Sequence, residues 1–156
     1  MRISEGLRRF LDREAVPYEL PRHPKTDTST ESAAASGIAG DRLAKAVVIE
    51  DQRRFLVAVI PSTHRLELHS LHERLGQQVG LATEAEVRLL FEDCEDGAVP
   101  GLGQAYGLDV LVDDALLEQD DVYFEAGNHA DLVHMTGEMF RGVMRSADHG
   151  EISKHV

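Results

Sequence analysis

The segment Leu43–Ile49, with the sequence LAKAVVI, is a continuous apolar run that carries a single charge, at Lys45. A short apolar run without polar alternation is typical of a strand that is covered on both faces of a sheet. Lysine is rarely buried without a partner, so its ammonium group has to meet either a ligand or water. The segment therefore predicts an inner strand, with Lys45 either binding an anion or extending its four-carbon stem to solvent.

The pattern around this strand predicts an α+β fold. A second apolar run, Phe55–Ile60, follows across the polar turn 51–54, and the two runs predict a β-hairpin. Helical spacing and capping residues predict helices at 4–14, after Thr28, at 66–75, from Thr83 to 91 and after Thr136. Short apolar runs predict further strands at 18–20, 79–82, 110–112, 122–126 and 132–135. Because strands mostly follow strands, α+β is favoured over a doubly wound parallel sheet.

Size and composition predict a single cytoplasmic domain. The 156 residues suffice for one hydrophobic core. No apolar run approaches the roughly 20 residues that cross a bilayer, and the first residues lack the apolar stretch of a secretory signal. The single cysteine fits a reducing compartment. We expect one domain, 1–156, that ends in a polar, frayed tail at 146–156.

The charge of the chain limits its partners. A net charge of −12 argues against a general nucleic-acid binder, and against DNA binding in particular, because such proteins need a basic face. Brief contact with the end of an RNA through a local basic spot remains compatible with this charge. Neither a membrane partner nor a cofactor is predicted.

Residues 97–103, with the sequence GAVPGLG, form the first candidate wall of a site. Glycine allows a ligand to approach the backbone closely, so Gly97, Gly101 and Gly103 could present N–H groups to an oxyanion or a carbonyl, while Pro100 shapes the loop. A plain turn between two elements has the same composition. The spacing matches neither a Walker loop nor a dinucleotide fingerprint.

The pair Asn128–His129, after the strand that ends near Gly127, forms the second candidate wall. These side chains could orient a substrate, polarise a carbonyl or move a proton. The alternative is a hairpin turn, since Gly-Asn favours positive φ.

Metal and thiol chemistry are not supported by the pattern. His64, His69 and His72 lie close together, but no metalloprotease signature accompanies them, so no metal site is predicted. Cys94 stands among acidic residues, which are expected to raise the thiol pKa, so we assign it no catalytic role.

Several segments, taken in order, carry a resemblance to a known family. They are His23–Pro24, the helix start Thr28–Glu31, the Lys45 strand, the strand Leu56–Pro61, the loop 97–103, Leu111–Asp113 and Phe124–Gly127. The ordered set resembles the YbaK/ProX family of aminoacyl-tRNA deacylases, whose fold also occurs as the editing domain of bacterial prolyl-tRNA synthetases. The resemblance covers roughly residues 18–145, which we expect to form the core.

The resemblance implies a curved, mixed, largely antiparallel sheet with flanking helices. It also implies hydrolysis of the ester in mischarged aminoacyl-tRNA, with tRNA-Pro as the expected tRNA and without a metal. Lys45 matches the family's strand lysine, which is expected to contact the terminal adenosine or its phosphate. Gly97 and Gly103 match its pocket loop, and His129 stands where alanine-specific members carry a histidine; with Lys45 these are the expected catalytic residues. The expected substrate-binding residues are His23, Thr30, Pro100, Gly101, Gly127 and Asn128.

Two alternatives remain open at this point. Gly101 stands where many members have a second proline, which motivates a non-catalytic module that binds an aminoacyl or nucleotide ligand, or docks on a synthetase. A metal-dependent hydrolase built on the three histidines is the other. The expected partners are the 3′ end of aminoacyl-tRNA and, in addition, an aminoacyl-tRNA synthetase.

Overall fold

A computed structural model of the chain describes residues 3–21, 37–52, 54–76 and 78–156. Within these ranges the strands are β1 (Leu43–Glu50), β2 (Phe55–Pro61), β3 (His64–Leu66), β4 (Gly80–Leu81), β5 (Asp109–Asp113), β6 (Asp121–Glu125), β7 (Leu132–Thr136), β8 (Asp148–Gly150) and β9 (Ser153–His155). The α-helices are α1 (Glu5–Arg13), α2 (Leu68–Leu75), α3 (Glu84–Leu90), α4 (Asp114–Leu117) and α5 (Gly137–Val143).

The predicted hairpin forms the centre of the main sheet. β1 and β2 pair antiparallel from Ala44↔Pro61 to Glu50↔Phe55. The strand order is β7-β6-β1-β2-β5-β8, and β4 pairs with the far end of β1. β6 runs parallel to β1, β5 to β2, and β8 to β5, whereas β7 and β4 run antiparallel to their neighbours. The predicted fold class, α+β with a mixed, largely antiparallel sheet and flanking helices, is confirmed.

The sheet is covered on both faces, as the unbroken apolar runs predicted. Successive residues of a strand point to opposite faces. Ala44 and Val48 belong to a core cluster that includes Leu7 and Leu11 of α1, while Ile49 belongs to a second cluster with Leu71 of α2. The two faces of β1 therefore meet different surroundings, and this separation decides where its side chains can act.

Several local predictions are confirmed with shifted ends. Thr83 and Glu86 form the predicted capping box at α3, with Glu86 N–H donating to Thr83 Oγ1 at 3.1 Å. Gly76 ends α2 in the left-handed conformation. The predicted strand at 18–20 is reduced to a bridge between Glu19 and His134. The predicted helix after Thr28 lies outside the described residues.

The helix predicted at 66–75 starts later in the structure, at Leu68. Residues His64–Leu66 form β3 instead. Leu66 packs against the second core cluster, and Glu67 N–H donates to Ile152 O at 2.9 Å. The leucine spacing correctly predicts the helix from Leu68 onward. Leu66, however, belongs to β3, which pairs with β9 near the end of the chain.

The prediction of a frayed tail at 146–156 is wrong, and the core predicted at 18–145 is too narrow at both ends. β8 extends the main sheet beside β5, β9 pairs with β3, and Ile152 is fully buried. The buried Asp113 accepts hydrogen bonds from Ile152 N–H at 3.0 Å and from Ser153 Oγ at 2.6 Å. At the other end, α1 buries Leu7, Phe10 and Leu11.

No helix among the described residues is long and apolar enough to cross a membrane.

Candidate functional site

In the part of the chain that the structure describes, the edge of β1 is unpaired between β6 and β4. β6 pairs with Leu43 and Ala44, and β4 pairs with Ile49 and Glu50. Among the residues that the structure describes, no strand pairs with residues 45–47 on this side of β1. A gap of this kind exposes backbone hydrogen-bonding groups in the middle of a sheet, where they are otherwise satisfied by a neighbouring strand.

The backbone of Ala46 faces this gap. Leu43 O accepts from Ser62 N–H on the β2 side, whereas Val48 O accepts from Ala82 N–H on the β4 side. Backbone groups of successive residues in an antiparallel pair point to opposite sides of the strand. Ala46, two residues from Val48, therefore directs its N–H and C=O into the open edge.

Lys45 lines a groove on one face of the sheet. The groove has a volume of about 720 Å³, and its lining includes Arg65, His64 and His155. Burial lowers the pKa of Lys45, and the positive charge of Arg65 lowers it further. Within the described ranges no carboxylate pairs with the Lys45 ammonium. Lys45 and Arg65 thus place two cationic side chains on one concave surface of an acidic protein.

Further lining residues of this groove are polar or aliphatic. They are Val47, Ile60, Ser62, Thr63, Leu66, Leu68, Leu81 and Val156.

A smaller pocket lies on the opposite face of β1. It has a volume of about 240 Å³ and is lined by small apolar residues of the sheet, by α3 and by the start of the candidate loop, namely Ala46, Val48, Ala82, Glu84, Val87, Asp96, Gly97 and Val99. The side chains of Ala46 and Lys45 point to opposite faces, so the groove and the pocket flank the same open edge from two sides.

The candidate loop is anchored to the sheet at its far end. A Cβ on Gly103 would lie 2.7 Å from Val57 Cγ2, so this glycine permits close packing on β2. Pro100 and Gly101 are buried, and Gly97 is exposed with a φ of +78°. Of the loop's predicted site residues, Gly97 borders the pocket, while Gly103 holds the loop in place.

His129 is brought to this loop. Its Nε2 donates to Asp96 O at 2.5 Å, and Glu95 N–H donates to Gly127 O at 2.7 Å. The ring is 4% exposed, and its Nδ1 has no hydrogen-bond partner among the described residues. His129 thus fixes the loop immediately before Gly97, but it does not line the Lys45 groove.

Asn128 shapes the turn between β6 and β7. Its Oδ1 accepts from Ala130 N–H and Asp131 N–H, both at 2.7 Å, and its Nδ2 donates to Asp131 Oδ2 at 3.2 Å. These bonds are those of the hairpin-turn interpretation. The predicted site residues His23 and Thr30 lie outside the described residues.

Gly127 has a packing role that can be tested. Its φ is +105°, and a Cβ would lie 2.7 Å from Ser4 Cβ, where the chain enters α1. We expect Gly127→Ala to lower the free energy of unfolding by about 2–4 kcal/mol through backbone strain and this collision. Gly107→Ala is the control, because Gly107 has a φ of +73° with nothing within 4 Å of the added Cβ. Equal losses in urea unfolding would contradict a specific contact with Ser4.

Cys94 lies outside the lining of both the groove and the pocket. Burial, aided by the negative charge of Asp93, raises the pKa of Cys94 to about 11. The sequence predicted the direction of this shift, but burial contributes more than the acidic neighbours.

A group of three side chains that could hold a metal is not found among the described residues. His69 is exposed on α2, where its Nε2 lies 3.0 Å from Glu73 Oε1.

Sequence reasoning missed Arg65, His64 and His155 as groove residues. Arg65 and His64 lie on β3, and His155 lies on β9, which pairs with β3 in the register His64↔His155. His64 stands out in the sequence only as a candidate metal ligand, and the signal for His155 is the basic and histidine content of the last residues.

Comparison with known proteins gives a family and a fold. The family model of the aminoacyl-tRNA editing domain matches residues 23–142. No curated protein matches the sequence.

Three crystal structures share the fold. The hypothetical protein APE2540 has a TM-score of 0.85 and 24% identity over 96% of this chain and 100% of its own. A protein proposed to be a trans-editing enzyme for prolyl-tRNA synthetase has a TM-score of 0.81 and 23% identity over 97% and 99%. A longer protein from Marinobacter aquaeolei VT8, proposed to act in signal transduction, has a TM-score of 0.77 and 22% identity over 95% of this chain and 30% of its own.

Proposed function

The chain belongs to the aminoacyl-tRNA editing domain family, and from this premise we propose that it is a YbaK/ProX-type deacylase. In this proposal it acts as a separate protein that hydrolyses the ester between a wrongly attached amino acid and the 3′ end of a tRNA, with mischarged tRNA-Pro as the expected substrate.

The observation that carries the proposal is the open edge of β1 with a different surface on each side. The groove with Lys45 and Arg65 suits the phosphates of an RNA end, because both side chains are donors with a positive charge. The small pocket suits a short amino-acid side chain, since its walls include Ala46, Val48 and Val99. An aminoacyl ester joins these two kinds of group, so its ester lies at the edge between them.

The acidic residues of the pocket fit the other end of the substrate. Glu84 and Asp96 line the pocket. Arg88 Nη2 lies 2.8 Å from Asp96 Oδ2, and this contact holds the pKa of the Asp96 carboxyl below its usual range. An aminoacyl-tRNA carries a free α-ammonium group next to its ester. Arg88 Nη2 also lies 3.7 Å from Glu84 Oε2, so two negative charges face one positive charge and the remaining negative charge attracts the α-ammonium group.

The chemistry needs positioning more than a protein nucleophile. An aminoacyl ester is already reactive, and the terminal ribose supplies a hydroxyl that can orient the attacking water. In this proposal the N–H of Ala46 and the backbone at Gly97 stabilise the negative charge that develops on the carbonyl oxygen. Such a donor lowers the activation free energy by about 3 kcal/mol. In this scheme Lys45 binds the RNA end, Gly103 anchors the loop, and His129 positions it through Asp96.

A panel of aminoacyl-tRNAs tests the proposal. We expect release of labelled alanine, serine or cysteine from tRNA-Pro at a rate well above the spontaneous rate, and slower release of proline, whose ring fills more of a pocket of about 240 Å³. The activity is expected to persist after exhaustive chelation. Rates equal to those without protein across the whole panel would overturn the proposal, and tRNA binding without hydrolysis would favour a non-catalytic module.

A further inference from the structure

Three side chains form a continuous hydrogen-bonded chain from the protein interior to the Lys45 groove. Ser153 Oγ donates to Asp113 Oδ2 at 2.6 Å, and His64 Nδ1 lies 2.8 Å from the same Oγ. Asp113 is 2% exposed and Ser153 is 4% exposed. Asp113 Oδ1 also accepts from Ala115 N–H at 2.8 Å, so the carboxylate is held from two directions.

The hydrogen bonds from His64 through Ser153 to Asp113 fix the tautomer of His64. A hydroxyl has one hydrogen, and Ser153 uses it toward the Asp113 carboxylate, which only accepts when ionised. Ser153 Oγ must then accept from His64, so the hydrogen of the neutral ring lies on Nδ1. Nε2 of His64 therefore carries the lone pair and is left as a hydrogen-bond acceptor.

His64 lines the same groove as Lys45 and Arg65. Those two side chains offer only donors, which suit an anion. By contrast, the Nε2 of His64 is an acceptor, so a ligand that contacts it has to donate a hydrogen bond. The apolar part of the lining, including Leu66, Leu68 and Leu81, suits a flat base. A ribonucleotide supplies all three complements, namely a phosphate, ribose hydroxyl groups and a base.

We propose that His64 is a substrate-binding residue whose Nε2 accepts a hydrogen bond from a ribose hydroxyl of a 5′-phosphorylated ribonucleoside bound by Lys45 and Arg65. In the setting of the proposed editing function, on which this step rests for its biological ligand, that nucleoside is the terminal nucleotide of the tRNA. Asp113 and Ser153 are positioning residues, because they hold the His64 ring without reaching the ligand.

Titration with adenosine 5′-monophosphate and with its 2′,3′-dideoxy analogue tests this contact without requiring catalysis. We expect the wild-type protein to bind the ribonucleotide roughly fivefold to tenfold more tightly than the dideoxy form, the usual range for one hydrogen bond. In His64→Ala this preference is expected to disappear. His69→Ala is the matched control, because His69 is exposed on α2 and does not line the groove.

A second measurement reads the tautomer directly. Nitrogen-15 NMR of the histidine rings is expected to show hydrogen on Nδ1 of His64 in the wild-type protein, with Nε2 shifting when the nucleotide is added. Ser153→Ala is expected to release the tautomer and to weaken the preference for the ribonucleotide, while circular dichroism checks that it folds. Hydrogen on Nε2 in the wild type, or an unchanged ribonucleotide preference in His64→Ala, would overturn the proposal.

The two proposals fail in different ways. If the aminoacyl-tRNA panel shows no hydrolysis but His64 discriminates the ribonucleotide, the groove is a nucleotide site and the editing proposal alone is lost. If hydrolysis is present and His64→Ala retains the ribonucleotide preference, the editing proposal stands and the role of His64 is rejected.

Discussion

Replacing Lys45 with methionine is expected to lower the rate of aminoacyl-tRNA hydrolysis by roughly 10- to 100-fold while leaving the fold at least as stable as the native protein. A charge-assisted hydrogen bond contributes about 1.5–3 kcal/mol, which sets this range of rates. Methionine keeps the length and apolar stem of lysine, so packing beside Val47 and Ile60 is preserved. The measurement is single-turnover deacylation together with thermal unfolding.

The expected gain in stability follows from the pKa of Lys45. Burial, aided by the charge of Arg65, lowers this pKa from 10.5, so the folded protein binds a proton at Lys45 less readily than the unfolded chain does. The stability penalty is complete below the folded pKa and is relieved as the pH rises toward the unfolded value. The stability difference between Lys45→Met and wild type is therefore expected to be largest near neutral pH and to shrink in alkaline buffer.

Lys154 supplies the control for this substitution. It is exposed on β9 and lies 3.9 Å from Glu67, outside the lining of the groove. Lys154→Met is expected to retain native hydrolysis, because an exposed ion pair contributes little. A Lys45→Met protein that hydrolyses its substrate at the native rate would remove Lys45 from the mechanism.

The sequence predicted those parts of the fold that depend on local patterns. The β1–β2 hairpin follows from two apolar runs across a polar turn, and α3 follows from the capping box at Thr83. β3, β8 and β9 were missed because they are three residues long and are stabilised by pairing with distant segments. No local pattern indicates that Asp113 is buried and bonds to Ser153, forty positions along the chain.

The candidate site was predicted only in part. The isolated charge of Lys45 pointed to the strand that borders the groove. The structure brings the loop and His129 together but leaves His129 outside the lining of the Lys45 groove. The sequence could not show which face of the sheet Lys45 occupies or that the edge of β1 beside it lacks a paired strand among the described residues, because an unalternating apolar run does not reveal which face a residue occupies. The groove also depends on Arg65 and His155, which become neighbours only when β9 pairs with β3.

The largest expected loss of stability comes from the segment that looked like a frayed tail. Ile152→Ala is expected to lower the free energy of unfolding by about 2–5 kcal/mol, because Ile152 is fully buried and packs with Leu71 and Leu111. For a chain of this size, each kcal/mol lowers the midpoint of thermal unfolding by about 2–4 °C. Leu89→Ala is the control, since Leu89 is 73% exposed on α3, and its effect is expected to stay within about 0.5 kcal/mol.

The same substitution links the tail to the groove. Ile152 lies between β8 and β9, and its backbone bonds to Asp113 and Glu67 hold β9 against β3. Loss of the buried side chain is expected to loosen this contact before the main sheet unfolds, so nucleotide binding should weaken at temperatures where circular dichroism still reports a folded protein. If Ile152→Ala binds and unfolds like Leu89→Ala, the last residues do not support the groove, and the contacts of His64 and His155 lose their structural basis.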